Sequence, residues 1–128
     1  MMSAQSSKDL FRAYVGLWET GRIDQLRTVI HDRYVGHAPA GDRDLEGLRQ
    51  RISAFGQLYP KARFEIQDQL AEGEKVATRL TSTARRAADG QNVKLFGQNI
   101  CRILDGKIIE EWMAWEVHPV TEAKPPST

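Results

Sequence analysis

Cysteine and long apolar segments are the two features that this chain most clearly lacks. Cys101 is the one cysteine among 128 residues, so it can neither form an internal disulfide nor join a second cysteine in a zinc site. It falls within an apolar strand pattern, where we expect a buried and unreactive thiol. No apolar run approaches the roughly 20 residues of a membrane-spanning helix, so we expect no membrane partner.

An excess of charge of either sign is also missing. The 18 Lys and Arg residues nearly balance the 17 Asp and Glu residues, for a net charge of +1, and no basic stripe suggests a nucleic-acid partner. His31 and His118 have no second and third ligand at suitable spacing, so we expect no metal. A phosphate-binding glycine loop and a nucleophile elbow are absent too. The polar start, which lacks the apolar core of a signal peptide, leads us to expect a cytoplasmic protein.

The length suits a single domain over 1–128. We expect order over about residues 6–120 and a flexible tail at Glu122 to Thr128, which has two prolines and no apolar anchor. Helical spacing predicts three helices in the first half: one after Ser6 or Ser7 that ends near Gly21, one over Ile23 to Ile30, and one capped by Asp44.

The second half of the chain follows the alternating pattern of strands. Gly73-Glu74, Asp89-Gly90 and Asp105-Gly106 are turn pairs that separate four predicted strands, which therefore form an antiparallel meander. Helices followed by strands indicate an α+β domain with the helices on one face of a curved sheet. Such a cone has one open end that suits a small hydrophobic molecule. The aromatic residues that we expect in its pocket, or simply in its core, are Tyr14, Trp18, Phe64, Phe96 and Trp112.

The last predicted strand has two very different faces. One carries Ile108, Glu110, Trp112, Ala114 and Glu116, and the other carries Ile109, Glu111, Met113, Trp115 and Val117. A carboxylate in phase with a tryptophan is typical of a pocket wall, which predicts that Glu116 and Trp112 face the pocket. The alternative is a strand end that reaches solvent, with Glu116 hydrated. The second face is apolar apart from Glu111, and we expect it to form a homodimer surface.

Several short motifs, in order, resemble the SnoaL-like polyketide cyclases of the nuclear-transport-factor-two-like superfamily. They span Leu10 to about Val117 and comprise Tyr34-Val35-Gly36-His37 with Pro39, Gly47-Leu48-Arg49, Tyr59-Pro60 with Phe64-Glu65-Ile66, Ala71 to Ala77 with Arg79, and Asp105 to Ile108 with Glu110, Trp112 and Glu116. The resemblance implies a cone-shaped curved antiparallel sheet packed on three N-terminal helices, the cystatin-like roll, usually as a homodimer.

The resemblance also implies an acidic residue on the last strand, which sits here at Glu116. In the cyclases this position is an aspartate that serves as acid and base in an aldol ring closure. Three departures accompany the match: glutamate replaces aspartate at 116, Ala84-Arg85-Arg86 replaces a Gly-Thr-His segment, and His118-Pro119 replaces a leucine-containing segment. Relatives of this fold include isomerases, dehydratases and epoxide hydrolases, and others that only bind ligands.

These observations lead to two hypotheses about function. The first is a cofactor-independent cyclase, isomerase or related lyase or hydrolase that acts on a hydrophobic carbonyl compound, with Glu116 and His37 catalytic. The second is a dimeric ligand-binding or interaction domain without catalysis. The alternative for His37 is a strand-end histidine bonded to a loop carbonyl. Arg79 either contacts the substrate or Glu116, or lies on the surface. The candidate substrate-binding residues are Tyr14, Trp18, Phe64, Arg79, Asn99 and Trp112.

Overall fold

The computed structural model describes residues 2–120 of the chain. Helix α1 spans Ala4–Thr20; its N-cap is Ser3, whose side chain accepts a hydrogen bond from the Ser6 amide. Gly21 ends this helix with a φ of 71°, a conformation that glycine adopts without strain. A 3₁₀ helix follows at Ile23–Thr28. Helix α2 spans Leu45–Leu58 and is capped by Asp44, as predicted, through a hydrogen bond from the Gly47 amide.

Six strands form one sheet. They are β1 at Ile30–Ala38, β2 at Gly41–Arg43, β3 at Arg63–Glu72, β4 at Lys75–Arg85, β5 at Asn92–Leu104 and β6 at Lys107–Pro119. Their order is β2-β1-β6-β5-β4-β3. The last four strands form the predicted antiparallel meander, whereas β1 pairs with β6 in parallel. The short strand β2 follows Pro39 and is not among the four predicted strands.

The helices cover the concave face of the curved sheet, and the core lies between the two layers. Phe11, Tyr14 and Val15 on α1, and Leu48 and Ile52 on α2, are buried in it. Their spacing of three or four residues places them on one face of each helix. The sheet contributes alternate residues to the same core, such as Val76, Leu80, Cys101 and Ile103. The α+β fold predicted from the order of helices and strands is therefore confirmed.

Register shifts in β3 and in β6 change which side chains face the core. In β3 the partners Ile66 with Leu80 and Asp68 with Arg79 leave Gln67 unpaired, so Asp68 and Leu70 point outward although Ile66 points inward. In β6 the partners Ile103 with Ile108 and Arg102 with Glu110 leave Ile109 unpaired. An extra residue in one strand reverses the phase of the residues beyond it.

Within residues 2–120, none of the helices is both long and apolar enough to cross a membrane. The predicted flexible tail, Glu122 to Thr128, lies outside the described residues.

Candidate functional site

A cavity of about 410 Å³ opens between the concave face of the sheet and the two α-helices. This volume falls within the range of small-molecule sites, roughly 300–1,000 Å³. Its wall is mostly apolar. The aromatic residues that line it are Phe11, Tyr14, Trp18, Phe55, Tyr59, Phe64 and Trp115, and the charged ones are Arg43, Arg51 and Glu111.

Glu111 is the acidic residue of this cavity, and its side chain is only 1% exposed. The Tyr14 hydroxyl donates to its Oε1 at 2.5 Å, and the Tyr34 hydroxyl donates to the same oxygen. Asn99 donates from Nδ2 to Oε2 at 2.7 Å. Arg43 places Nη2 at 3.9 Å from Oε1. Hydrogen bonds and a nearby cation stabilise the ionised form of a buried carboxyl group.

The groups around Glu111 are electrostatically matched to a carboxylate. Burial raises the pKa of Tyr14 and of Tyr34, and the charge of Glu111 raises both further. Both phenols therefore stay neutral hydrogen-bond donors. Burial lowers the pKa of Arg43, but its contacts with Tyr34, Tyr14 and Glu111 outweigh this effect and the net shift is upward. The cluster thus holds one cation and one anion in an apolar surrounding.

Arg43 lies between several groups of the cavity. Its guanidinium carbon lies 5.8 Å from the centroid of the Trp18 ring, and its Nη2 lies 3.7 Å from the Met113 sulfur. Its Nε is buried without a hydrogen-bond partner among the described residues, and so is Oδ1 of Asn99. The described residues therefore leave two polar atoms of this cluster without a hydrogen bond. Each such buried atom lowers the stability of the folded state.

A glycine on β5 makes room for the aromatic wall opposite the helices. Gly97 pairs with Trp115, and a Cβ at Gly97 would lie 2.6 Å from the Trp115 ring. The ring therefore lies flat against the glycine backbone, where Phe64 packs edge-on at a centroid distance of 5.7 Å. Any larger residue at 97 would push Trp115 into the cavity.

The predicted placement of Glu116 and Trp112 in the pocket is wrong. The Glu116 side chain is 76% exposed and lies 3.2 Å from the His118 ring, and Trp112 and Phe96 are also exposed on the convex face.

The alternation of the two faces of β6 is as predicted, but the cavity lies on the face opposite to the one predicted. The shift at Ile109 lets Ile108 and Ile109 both be buried and places Glu111, Met113, Trp115 and Val117 on the concave side. For the same reason, the face predicted to form a dimer lines the cavity and core instead.

His37 and Arg79, two further predicted site residues, also lie on the convex face. The His37 ring bonds Asp42 at 2.9 Å and Glu110 at 2.8 Å, and it stacks on Trp112 at a centroid distance of 5.4 Å. Arg79 forms an exposed salt bridge with Asp68 at 2.5 Å. Neither side chain lines the cavity or contacts Glu111. The catalytic role predicted for His37 and the substrate contact predicted for Arg79 therefore do not fit this cavity.

Four of the predicted site residues do line the cavity: Tyr14, Trp18, Phe64 and Asn99. Sequence reasoning missed the roles of Glu111, Tyr34 and Arg43. The signal for Glu111 was present, because a lone carboxylate on an otherwise apolar strand face needs buried partners. Arg43 gave no such signal, since it reaches the cavity only through the unpredicted hairpin of β1 and β2.

Other reactive groups of the described chain stay outside this site. No cluster of potential metal ligands is found within residues 2–120. Cys101 is fully buried beside Glu111, and burial, with a further contribution from the Glu111 charge, raises the pKa of its thiol to about 12. The prediction of a buried thiol is confirmed, and the raised pKa makes this thiol a poor nucleophile.

Comparison with known proteins gives one family and a consistent fold. Residues 8–122 match the family described as SnoaL-like polyketide cyclase. IdmH from Streptomyces antibioticus superposes with a TM-score of 0.79 at 22% identity, covering 86% of this chain and 91% of that one. TsrD from Streptomyces laurentii gives 0.80 at 22% identity, with 91% of each chain covered.

A third structure is a SnoaL-like polyketide cyclase from Agrobacterium tumefaciens. Its TM-score is 0.77 at 19% identity, and the match covers 90% of this chain and 93% of that one. At these identities the structural likeness establishes the fold alone. No curated protein matches the chain significantly.

Proposed function

Because the chain belongs to the SnoaL-like polyketide cyclase family, we propose that it converts a hydrophobic carbonyl compound by acid–base chemistry at Glu111. The single observation that carries this proposal is a buried carboxylate that lines an apolar cavity and is held by three donors. Glu111 thus replaces Glu116 as the candidate acid and base. The reaction class is a cyclisation or an isomerisation that needs no cofactor.

The chemistry begins with removal of a proton from the carbon next to a carbonyl group. Oε2 of Glu111 accepts one hydrogen bond, from Asn99, and keeps a lone pair that can take this proton. The electrons of the broken C–H bond form an enolate, whose charge the nearby Arg43 guanidinium stabilises. The enolate then attacks a second carbonyl carbon, whose oxygen takes the proton from Glu111 and becomes a hydroxyl group, or the enolate takes that proton back at another carbon. In both cases Glu111 returns to its carboxylate form.

The remaining polar residues position Glu111. Tyr14 and Tyr34 fix Oε1, so the carboxylate cannot rotate and Oε2 keeps its direction into the site. Such positioning lowers the reorganisation needed in the transition state. General acid–base assistance typically contributes about a hundred- to ten-thousand-fold in rate, which is the range we assign to Glu111.

A binding domain without catalysis is the competing function, and one observation favours it. Both oxygens of Glu111 are already engaged by side chains of the protein itself, as they would be in a polar network that only stabilises the core. Under this alternative the cavity holds its ligand without changing it, and Glu111 acts on stability and affinity alone.

The experiment is product analysis by mass spectrometry after incubation with aromatic ketones and poly-β-keto esters. The wild type is compared with Glu111→Gln and with Glu116→Gln, an exposed carboxylate on the same strand that serves as the matched control. We expect wild type and Glu116→Gln to form the same product and Glu111→Gln to lose at least about a hundred-fold in rate. Compounds that bind and are recovered unchanged from the wild type would support the binding domain instead.

We further propose that two copies of the chain pair through the convex face of the sheet. Phe96, Ile100 and Trp112 are 43%, 45% and 37% exposed there, and large apolar side chains exposed together on one face are typical of an interface between proteins. The same face carries Lys94 and Glu116, opposite charges that a twofold axis can bring together.

Sedimentation of Ile100→Lys tests this pairing, with Leu70→Lys as an exposed control at the outer strand β3. We expect the wild type and Leu70→Lys to sediment as dimers and Ile100→Lys as a monomer. A monomeric wild type at high concentration would contradict the proposal.

A further inference from the structure

One face of helix α2 contributes a charged residue to the cavity. Arg51, Ala54, Phe55 and Leu58 recur at helical spacing, and all four line the cavity. Three of them are apolar and suit a hydrophobic ligand, whereas Arg51 is an exposed cation on the same face. A helix places residues three and four apart side by side, so the guanidinium lies next to the apolar wall rather than away from it.

Arg51 has no counter-ion within residues 2–120. It takes part in no salt bridge there, whereas Arg49, two residues earlier, pairs with Glu46 at 3.6 Å. Of the charged residues that line the cavity, Glu111 is already offset by Arg43. Among the charged residues that line the cavity, Arg51 is therefore the one whose charge is not offset. It makes the solvent-facing part of the cavity positive.

We propose that Arg51 binds an anionic group of the substrate, a carboxylate, at the mouth of the cavity. This inference rests on the proposed function and specifies its substrate class, an apolar carbonyl compound with one acidic end. A guanidinium matches a carboxylate through two parallel hydrogen bonds, which adds direction to the charge attraction.

The arrangement also orients the substrate. Glu111 is buried, with its side chain 1% exposed, whereas Arg51 is exposed. A carboxylate in the interior would face the like charge of Glu111 and would lose its water. At Arg51 it keeps part of its hydration and meets an opposite charge. The acidic end therefore stays at the mouth, and the apolar end with the reacting carbon enters toward Glu111.

The test compares two ligands of equal shape, 2-naphthoate and the neutral 2-naphthamide, on the full chain. Binding is followed by quenching of tryptophan fluorescence, because Trp18 and Trp115 line the cavity. The variants are Arg51→Gln and, as a matched control on the same helix, Arg49→Gln. Neither arginine is buried, so both variants keep the fold.

We expect the wild type and Arg49→Gln to bind 2-naphthoate about two- to five-fold more tightly than 2-naphthamide, the range for an exposed ion pair. In Arg51→Gln the two ligands bind equally well. Added salt lowers the preference in the wild type because it screens an exposed charge.

Three outcomes overturn the inference, and they differ in whether they also overturn the proposed function. Saturable binding of both ligands with no preference, or a preference that survives Arg51→Gln, overturns the role of Arg51 and leaves the proposed function standing. The absence of saturable quenching by either ligand in the wild type overturns the inference together with the hydrophobic cavity on which the proposed function depends.

Discussion

Asn99 and Glu111 are joined by a hydrogen bond of 2.7 Å from the Asn99 amide nitrogen to Oε2 of the carboxylate. They lie on neighbouring strands, diagonally across the concave face, since Asn99 pairs with Met113 and Glu111 with Cys101. The contact fixes the orientation of the Asn99 amide, because its carbonyl oxygen would repel an ionised Glu111. It also leaves Oδ1 of Asn99 without a partner within the described residues. The carboxylate therefore determines which atom of the Asn99 amide forms a hydrogen bond.

Replacing Asn99 by Asp places two carboxyl groups in contact. Two like charges at this distance cannot both ionise readily, so the pKa of the pair rises above that of unfolded Asp, about 3.9. The folded state then binds more protons than the unfolded state, and stability falls as pH rises through this window. We expect the melting temperature of Asn99→Asp to be clearly lower at pH 8 than at pH 5. Asn92→Asp, at an exposed position of the same strand, is the control, and equal pH profiles for the two variants would contradict the contact.

Removing one phenol hydroxyl from the cluster leaves Glu111 with one donor fewer. Hydrogen bonds to charged groups contribute about 1.5–3 kcal/mol, so we expect Tyr34→Phe and Tyr14→Phe each to lower the free energy of unfolding by about this amount. Urea denaturation measures it, with Tyr59→Phe, at a half-buried position, as the control. A loss no greater than that of Tyr59→Phe would show that the hydroxyls do not stabilise the carboxylate.

Glycine to alanine has opposite effects at two positions of this chain. At Gly97 the new methyl group would meet the Trp115 ring at 2.6 Å, so we expect lower stability and weaker binding of 2-naphthamide as Trp115 moves into the cavity. At Gly56 in α2 nothing lies within 4 Å of the added carbon, and the gain in helix propensity is about 0.8–1 kcal/mol. Thermal melts of both variants check the signs, and a stabilised Gly97→Ala would contradict the position of Trp115.

The His37 cluster on the convex face predicts a pH-dependent contribution to stability. The hydrogen bond to Glu110, followed by that to Asp42, raises the pKa of His37, and the bond to His37 lowers the pKa of Glu110. A raised histidine pKa gives a stabilisation that is complete below the unfolded value of about 6.5 and lost as pH rises through the folded value. We expect melting temperatures of the wild type to fall over this window relative to those of His37→Gln. Parallel pH profiles would contradict the ion pairs.

Much of the fold followed from local patterns. Asp44, Gly21 and the three turn pairs mark element boundaries through side-chain caps and positive φ, which depend on neighbouring residues alone. Strand β2 was missed because its three residues, Gly41–Arg43, carry no alternating apolar pattern. Its hairpin with β1 is a tertiary feature, and so is the place of Arg43 in the cavity.

The site was harder to predict than the fold. Alternation shows that Glu111 and Glu116 face opposite sides of β6, but not which side the helices cover. The family resemblance favoured position 116. In addition, the register shift at Ile109 reverses the phase of the strand, and the residue types around it do not predict such a shift. The helical and strand periods do determine the direction of Tyr14 and Asn99, and both side chains line the cavity.

Exchange of deuterium into the carbon next to a ketone carbonyl tests the role of Glu111 most directly, since it needs only the first proton transfer. The measurement follows 2-tetralone in D₂O by NMR with wild type, Glu111→Gln and Glu116→Gln. Glu111→Gln keeps a hydrogen-bonded core, because the Asn99 amide can turn its free oxygen toward the new amide group. We predict exchange above the buffer rate with wild type and Glu116→Gln, and a loss of at least about a hundred-fold with Glu111→Gln. Exchange that persists in Glu111→Gln, or that disappears in Glu116→Gln, would contradict the assignment of the buried carboxylate as the base.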